Sequence, residues 1–134
     1  MAVIDASVYI ALVNAHEKEH SSSSAWFEQV RTAVESIVAP VILLSEVATA
    51  LSCGVGDPTL AHRVVQQLAR SQVIELLPVT LAMAEHAAVI AAEHRIRGCD
   101  AVYVALADQL NDTLVTLDRQ QLERGAALVT VRSP

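Results

Sequence analysis

The first fifteen residues, MAVIDASVYIALVNA (1–15), join an apolar run, an aspartate and a helical pattern. Short apolar runs of the same kind recur along the chain, and they are nearly continuous rather than alternating with polar residues. The runs are MAVID (1–5), SIVA (36–39), VIELLPV (73–79), TLVTL (113–117) and ALVTV (127–131). Continuous apolar strands are typical of a parallel sheet that is covered on both faces by helices.

Helical patterns lie between these runs, and Pro40 and Pro58 stand where the first turn of a helix tolerates proline. The patterns cover roughly 7–15, 23–35, 41–52, 58–70, 81–95, 99–111 and 119–124. Strands that alternate with helices predict a three-layer α/β/α fold around a central, mostly parallel sheet of about five strands. No linker or internal repeat is visible, so residues 1–134 are interpreted as a single domain.

The composition narrows the functional classes. The 134 residues are 53% hydrophobic and carry a net charge of −6, which disfavours nucleic-acid binding through many phosphate contacts but not a nuclease with a small metal site. No apolar run reaches the ~18 residues of a membrane span, and the start lacks signal-peptide features. We therefore expect a cytoplasmic protein without membrane contact. Cys53 and Cys99 lack ligand spacing and are expected to be buried free thiols.

The stretch HEKEH (16–20) matches the H-E-x-x-H signature of zinc proteases. That chemistry needs a third protein ligand and a helix packed firmly enough to aim both imidazoles at one point. Between residues 14 and 24, however, Ala15 is the only apolar residue. A segment without an apolar face indicates a solvated helix end and turn rather than a zinc site.

Three aspartates lie where parallel sheets bind their ligands, beyond the carboxyl ends of strands or at the start of a helix. Asp5 follows the first apolar run, Asp118 follows the fourth, and Asp100 begins a predicted helix. Asp100 and Asp118 are also natural helix caps, and Gln121 completes a capping-box pattern with Asp118. A capping role explains Asp5 less well, because Ser7 is the better cap for the helix that follows.

Glu46 is the only charged residue among the 21 from Ser36 to Gly56. On its predicted helix it shares one narrow polar strip with Ser45 and Thr49. A lone carboxylate on an apolar helix needs a cation, and its own helix contains no base. With the three aspartates it predicts a site for Mg²⁺ or Mn²⁺, which prefer oxygen ligands and keep positions open for phosphate oxygens.

The blocks VIDASV, LLSEVATAL, RGCDAVYVALA and LVTLDRQQL, in this order, resemble the PIN-domain ribonucleases and are most similar to VapC-type toxins of toxin–antitoxin pairs. The resemblance implies a Mg²⁺- or Mn²⁺-dependent endoribonuclease that cleaves RNA, is inhibited by a cognate protein antitoxin and forms a homodimer. It implies catalytic and metal-binding roles for Asp5, Glu46, Asp100 and Asp118, with supporting hydroxyls from Ser7 and Thr116. Some relatives carry a further acid near Asp118, which is missing here, so a second fully ligated metal is in doubt.

Arginines flank the predicted acids and are candidate contacts to RNA phosphates, or else partners of surface carboxylates. They are Arg95, Arg97, Arg119 and Arg124.

A haloacid-dehalogenase phosphatase is disfavoured because Ser7 stands where it needs a second aspartate. A receiver domain is disfavoured because the only lysine, Lys18, lies in the polar turn. The remaining alternative is a non-catalytic PIN-like module that binds or scaffolds a partner protein.

Overall fold

The computed structural model describes all 134 residues and confirms the predicted architecture, a five-stranded parallel sheet flanked by seven α-helices. The strands are Ala2–Ile4 (β1), Ile37–Pro40 (β2), Ile74–Leu77 (β3), Thr113–Val115 (β4) and Val131–Arg132 (β5). The helices are Ala6–Val13 (α1), His20–Thr32 (α2), Leu43–Thr49 (α3), Pro58–Ala69 (α4), Leu81–His94 (α5), Gly98–Leu110 (α6) and Arg119–Arg124 (α7). None of these helices is both long and apolar enough to span a membrane.

The sheet order β3-β2-β1-β4-β5 places β1 at the centre. From β1 the chain moves outward to β2 and β3, then returns past β1 and adds β4 and β5 on the other side. Ile4 of β1 pairs with Val115 of β4, so the residues that follow them, Asp5 and Thr116, emerge side by side. A switch point of this kind opens a crevice at the carboxyl ends of the strands, where ligands bind.

One hydrophobic core of 29 buried residues joins the layers. The inner strands β1 and β2 are buried at every residue, as their continuous apolar sequences predict. The edge strand β3 is fully buried only at Ile74. Helix α6 packs against β1, β2 and β4 and buries Tyr103 and Leu106 completely, which fixes the position of Asp100 in its first turn.

The helix that carries Glu46 changes its winding after two turns. α3 ends at Thr49 and continues as a wider π-helical segment, Ala50–Val55, where the sequence predicted one uninterrupted helix. The segment ends at Gly56, whose φ of 80° is accessible to glycine without strain, and whose N–H bonds the Leu51 carbonyl. π-Helical turns are rare and frequently occur near functional sites.

The last strand is shorter than predicted. β5 covers Val131–Arg132 rather than 127–131. The N–H groups of Leu128 and Val129 both bond the Gly125 carbonyl and close a 3-10 turn, so the backbone cannot extend until after them.

Two smaller sequence predictions are wrong. Pro40 was predicted at the start of a helix but ends β2, whereas Pro58 begins α4 as predicted. Cys53 and Cys99 were predicted to be buried free thiols; they are free but exposed. Cys53 lies on the π-helical segment at the surface, and Cys99 lies in the first turn of α6, at the edge of the crevice.

Candidate active site

Asp5 is the most enclosed acid of the crevice, with 3% of its surface exposed. Its Oδ1 accepts hydrogen bonds from Ser7 Oγ (2.6 Å) and the Val8 N–H (3.2 Å), which makes Asp5 the N-cap of α1. Its Oδ2 accepts from Thr116 Oγ1 (2.6 Å) and Gln121 Nε2 (2.8 Å). Burial raises the pKa of Asp5, and the four donors act in the opposite direction. The expectation that Ser7 would cap α1 is wrong, since its hydroxyl supports the carboxylate that does so.

The two hydroxyls beside Asp5 also shape the loop after β4. Ser7 Oγ accepts a hydrogen bond from the Leu117 N–H, and Thr116 Oγ1 accepts one from the Asp118 N–H, both at 2.9 Å. Each hydroxyl therefore donates to Asp5 and accepts from the backbone, which fixes its rotamer. These contacts tie the end of β1 to the loop that carries Asp118.

Glu46 lies in the first turn of α3 and is partly buried. Tyr103 of α6 donates its hydroxyl to Glu46 Oε2 and has no exposed surface. Burial raises the pKa of Glu46, the nearby carboxylates of Asp100 and Asp5 raise it further, and the Tyr103 hydrogen bond lowers it. The lone carboxylate therefore faces other acids across the crevice, as the absence of a base in its helix suggested.

Arg97 bridges the two remaining acids. Its Nε lies 2.6 Å from Asp100 Oδ2 and its Nη2 lies 2.9 Å from Asp118 Oδ2, although 66% of its side chain stays exposed. Asp118 Oδ1 accepts from the Gln121 N–H (2.9 Å) and caps α7 as predicted. Asp100 is not a cap, because α6 already begins at Gly98. Burial raises the pKa of Asp100 even though Arg97 acts to lower it.

All four predicted acids line one open cleft of about 500 Å³ at the switch point. They reach it from four different elements: the end of β1, α3, α6 and the loop after β4. Ser45 and Thr49 line the same cleft, so the polar strip predicted on the Glu46 helix does face it. The structure thus brings together acids that are far apart in the chain; Asp5 and Asp118 are separated by 113 positions.

A family model of the PIN domain matches residues 2–127. The chain belongs to the PIN domain family. Solved structures agree with this assignment, although no curated protein sequence matches the chain. VapC20 of Mycobacterium tuberculosis, a Sarcin-Ricin loop cleaving toxin, has a TM-score of 0.79 at 19% identity, with 100% of both chains covered.

Two further structures have the same fold. VapBC2 from Rickettsia felis, bound to a DNA fragment from its promoter, has a TM-score of 0.74 at 14% identity, covering 99% of this chain and 98% of that one. FitAcB from Neisseria gonorrhoeae has a TM-score of 0.73 at 20% identity, covering 100% of this chain and 98% of that one. At these identities the similarity establishes a common PIN fold.

Of the four arginines that are candidate contacts to RNA phosphates, Arg97 alone lines the cleft of this PIN domain. Arg119 is exposed and pairs along α7 with Glu123, at 2.8 Å between Nε and Oε1. Arg95 is the C-cap of α5 with a left-handed φ of 55°, and its carbonyl accepts a hydrogen bond from the exposed Arg124. The structure therefore places one candidate phosphate contact among the acids and three on the surface.

The HEKEH stretch lies in the connection between α1 and α2 and does not line the cleft, although its Glu17 and Glu19 line an adjoining groove that shares Ser7 with the cleft. Residues 14–19 form turns and α2 begins at His20, so the two histidines do not share the single helix that the zinc motif requires. His16 is exposed, and the His20 ring Nδ1 lies 2.7 Å from the Ala11 carbonyl oxygen. His20 therefore links the two helices.

Tyr103 and Gln121 also contact the predicted acids, although the sequence alone did not predict this. Tyr103 is the only residue with a polar side chain between Asp100 and Asp108, and a buried phenol needs a hydrogen-bond partner, so a signal was present. Gln121 was interpreted as half of a capping box. Its side chain does not return to the Asp118 N–H but reaches Asp5 and Asp100 instead.

The donor set of the cleft fits a hard divalent cation. Its four acids offer oxygen ligands, and Arg97 is the only base that lines the cleft with them. In the present arrangement no three His, Cys, Asp or Glu side chains converge as metal ligands, and Arg97 spans Asp100 and Asp118. A cation that binds these two carboxylates would compete with Arg97 for them.

Proposed function

We propose that this PIN domain is a divalent-metal-dependent endoribonuclease that acts as the toxin of a toxin–antitoxin pair. The convergence of four carboxylates from four elements on one open cleft supports this function best. A structural role does not require so many acids at one place, because clustered like charges repel one another. VapC20, which has the same fold, is described as a Sarcin-Ricin loop cleaving toxin.

In the proposed reaction Asp5, Glu46, Asp100 and Asp118 would hold Mg²⁺ or Mn²⁺. A cation bound there would supply activation of the attacking water and neutralisation of the charge on the phosphodiester. Ser7 and Thr116 hold Asp5 in a fixed orientation, and Tyr103 does the same for Glu46. The open cleft leaves room for the RNA backbone beside these groups.

Arg97 has two positions in this proposal. It pairs here with Asp100 and Asp118, and a cation held by those carboxylates would leave its guanidinium free to contact an RNA phosphate. Its mostly exposed side chain permits this movement. Replacing Arg97 with alanine is expected to raise the KM for RNA more than it lowers kcat, whereas an unchanged KM would remove Arg97 from the RNA-binding surface.

The proposed partner is a protein antitoxin that closes the cleft with a basic side chain. Arg97 supports this, since its contacts demonstrate that two of the acids accept one guanidinium with short hydrogen bonds. We also propose a homodimer, because large apolar side chains on α5 stay exposed, Leu81 at 76% and Val89 at 52%. A cytoplasmic location remains a prediction from the sequence.

Incubation of the purified protein with a defined RNA tests the enzymatic proposal. Cleavage is expected with Mg²⁺ or Mn²⁺ and is expected to stop with EDTA, leaving 5′-phosphate and 3′-hydroxyl ends. Activity that persists in chelator or requires zinc would contradict the proposed chemistry. Absence of cleavage by the folded, metal-loaded protein would favour the non-catalytic scaffold.

Expression in bacteria tests the toxin proposal separately. The wild-type chain is expected to arrest growth without its antitoxin, and Asp5→Asn is expected to relieve the arrest at equal protein level. Ribonuclease activity in vitro without any growth effect would retain the enzyme and reject the toxin.

A further inference from the structure

Gln121 is a completely buried polar side chain in the first turn of α7. Its Nε2 lies 2.8 Å from Asp5 Oδ2 and 3.3 Å from Asp100 Oδ1. One amide group therefore contacts two of the four acids, one at the end of β1 and the other on α6. Because an amide Nε2 carries two N–H groups, it can donate to both carboxylates at once.

Neither capping nor packing explains this arrangement. A capping box would direct the Gln121 side chain to the Asp118 N–H, but that group already donates to Thr116 Oγ1 at 2.9 Å. Gln121 Oε1 is buried and accepts no hydrogen bond from the protein. A buried polar atom without a partner is costly, so a residue selected only to fill this space would be apolar.

The other donors to Asp5 contact no second carboxylate. Ser7 and Val8 lie in the first turn of α1, and Thr116 follows β4. Only Gln121 donates both to the carboxylate of Asp5 and to that of a second acid of the cleft. It does so without adding charge, so it holds two carboxylates of like sign near each other and leaves their negative charge available to a cation.

We propose that Gln121 is a positioning residue of the metal site, which sets the separation of Asp5 and Asp100 and so determines how tightly the cation binds. This inference rests on the proposed function, because it assumes that these acids bind the metal. Partners that orient metal ligands commonly contribute about 10- to 100-fold to metal affinity.

Isothermal titration of the purified protein with Mn²⁺ tests the inference. Gln121→Met keeps the volume and removes both donors, and it is expected to weaken Mn²⁺ binding by at least about tenfold. Gln120→Met is the matched control, since Gln120 is exposed on the same helix and makes no side-chain hydrogen bond to the acids. High Mn²⁺ is expected to restore RNA cleavage by Gln121→Met, which a purely structural defect would not allow.

Gln121→Glu is expected to change the stabilisation by Mn²⁺ in the opposite direction from Gln121→Met. It places a carboxylate against Asp5 and Asp100, so its melting temperature in EDTA is expected to fall and its increase on adding Mn²⁺ is expected to exceed that of the wild type. Unchanged Mn²⁺ affinity in Gln121→Met, or an equal loss in Gln120→Met, would overturn the inference. If the wild type binds Mn²⁺ but cleaves no RNA, the ribonuclease proposal fails while the affinities still decide the role of Gln121. A wild type that binds no Mn²⁺ overturns both.

Discussion

The cleft and the turn at residues 14–20 both contain several acids, but they differ in burial and in how far apart these acids lie in the sequence. The turn holds its histidines and glutamates within seven consecutive residues, mostly exposed to solvent. The cleft draws one acid from each of four elements, and burial raises the pKa of three of them. Convergence of distant residues in a partly buried place distinguishes a candidate site, and a short local motif does not.

The largest expected effect is the loss of RNA cleavage when an acid of the cleft is replaced, since no residue of the turn is expected to be needed for cleavage. Asp5→Asn removes a charge from the centre of the cleft and gives an amide that cannot accept from all four donors. RNA cleavage with saturating Mn²⁺ is expected to fall by more than the roughly 10- to 100-fold typical of losing an outer partner. Circular dichroism checks that both proteins are folded. If Asp5→Asn then cleaves RNA as well as the wild type does, the cleft is no more important for activity than the turn.

Glu46→Gln separates charge from structure within the cleft. The glutamine keeps an acceptor for Tyr103, and the loss of one like charge relieves repulsion, so melting in EDTA is expected to be unchanged or higher. Most of the Mn²⁺ stabilisation, about 2.7 kcal/mol at ~100 times the dissociation constant, is expected to disappear together with RNA cleavage. Tyr103→Phe is the control that keeps the charge and removes the hydrogen bond. A loss of ~1–3 kcal/mol in EDTA with cleavage retained would instead identify Glu46 as a structural partner.

The pH dependence of folding stability is expected to come mainly from the acids of the cleft. Burial raises the pKa values of Asp5, Glu46 and Asp100, so the folded protein binds protons more tightly than the unfolded chain. This contribution is complete below the unfolded pKa values and is lost as pH rises through the folded ones. Melting temperatures in EDTA are therefore expected to rise from about pH 8 to about pH 5, and the gain from Mn²⁺ is expected to shrink, because the cation binds deprotonated carboxylates.

The control for this profile comes from the turn. A protein with His16 and His20 both replaced by alanine is expected to show the same dependence on pH in EDTA as the wild type. If the double replacement abolished the dependence, the titrating groups would lie in the turn and not in the cleft.

The smallest effects are expected from the histidines themselves. His20→Ala removes the contact of its ring with the Ala11 carbonyl and is expected to cost about 1 kcal/mol of folding free energy, whereas exposed His16→Ala is expected to cost nothing measurable. Both variants are expected to cleave RNA as the wild type does. Denaturant unfolding and a cleavage assay measure the two quantities, and a loss of activity beyond the loss of folded protein would make the turn functional.

Positions that depend on strand ends were predictable from the sequence, and positions that depend on tertiary contacts were not. Asp5 and Asp118 follow apolar runs, and the parallel register of β1 and β4 brings the ends of those runs together. The partners of Gln121 and Tyr103 lie on other elements, so their roles depend on how α6 and α7 pack. The same limit applies to Ser7, where propensity favoured a cap but the neighbouring carboxylate took that position. The start of β5 was misplaced because a local turn at Gly125 prevailed over an apolar run.

The central position of β1 has a consequence for the order in which the molecule is made. Asp5 is synthesised well before its donors Thr116 and Gln121, which lie 111 and 116 residues further along the chain. Contacts over such separations form late and slowly during folding. A nascent or truncated chain that stops before β4 contains three of the four acids but lacks the strand that completes the cleft. If the chain is a ribonuclease, its ability to cleave RNA begins only after β4 and α7 have been synthesised, and fragments that end before them are expected to be inactive.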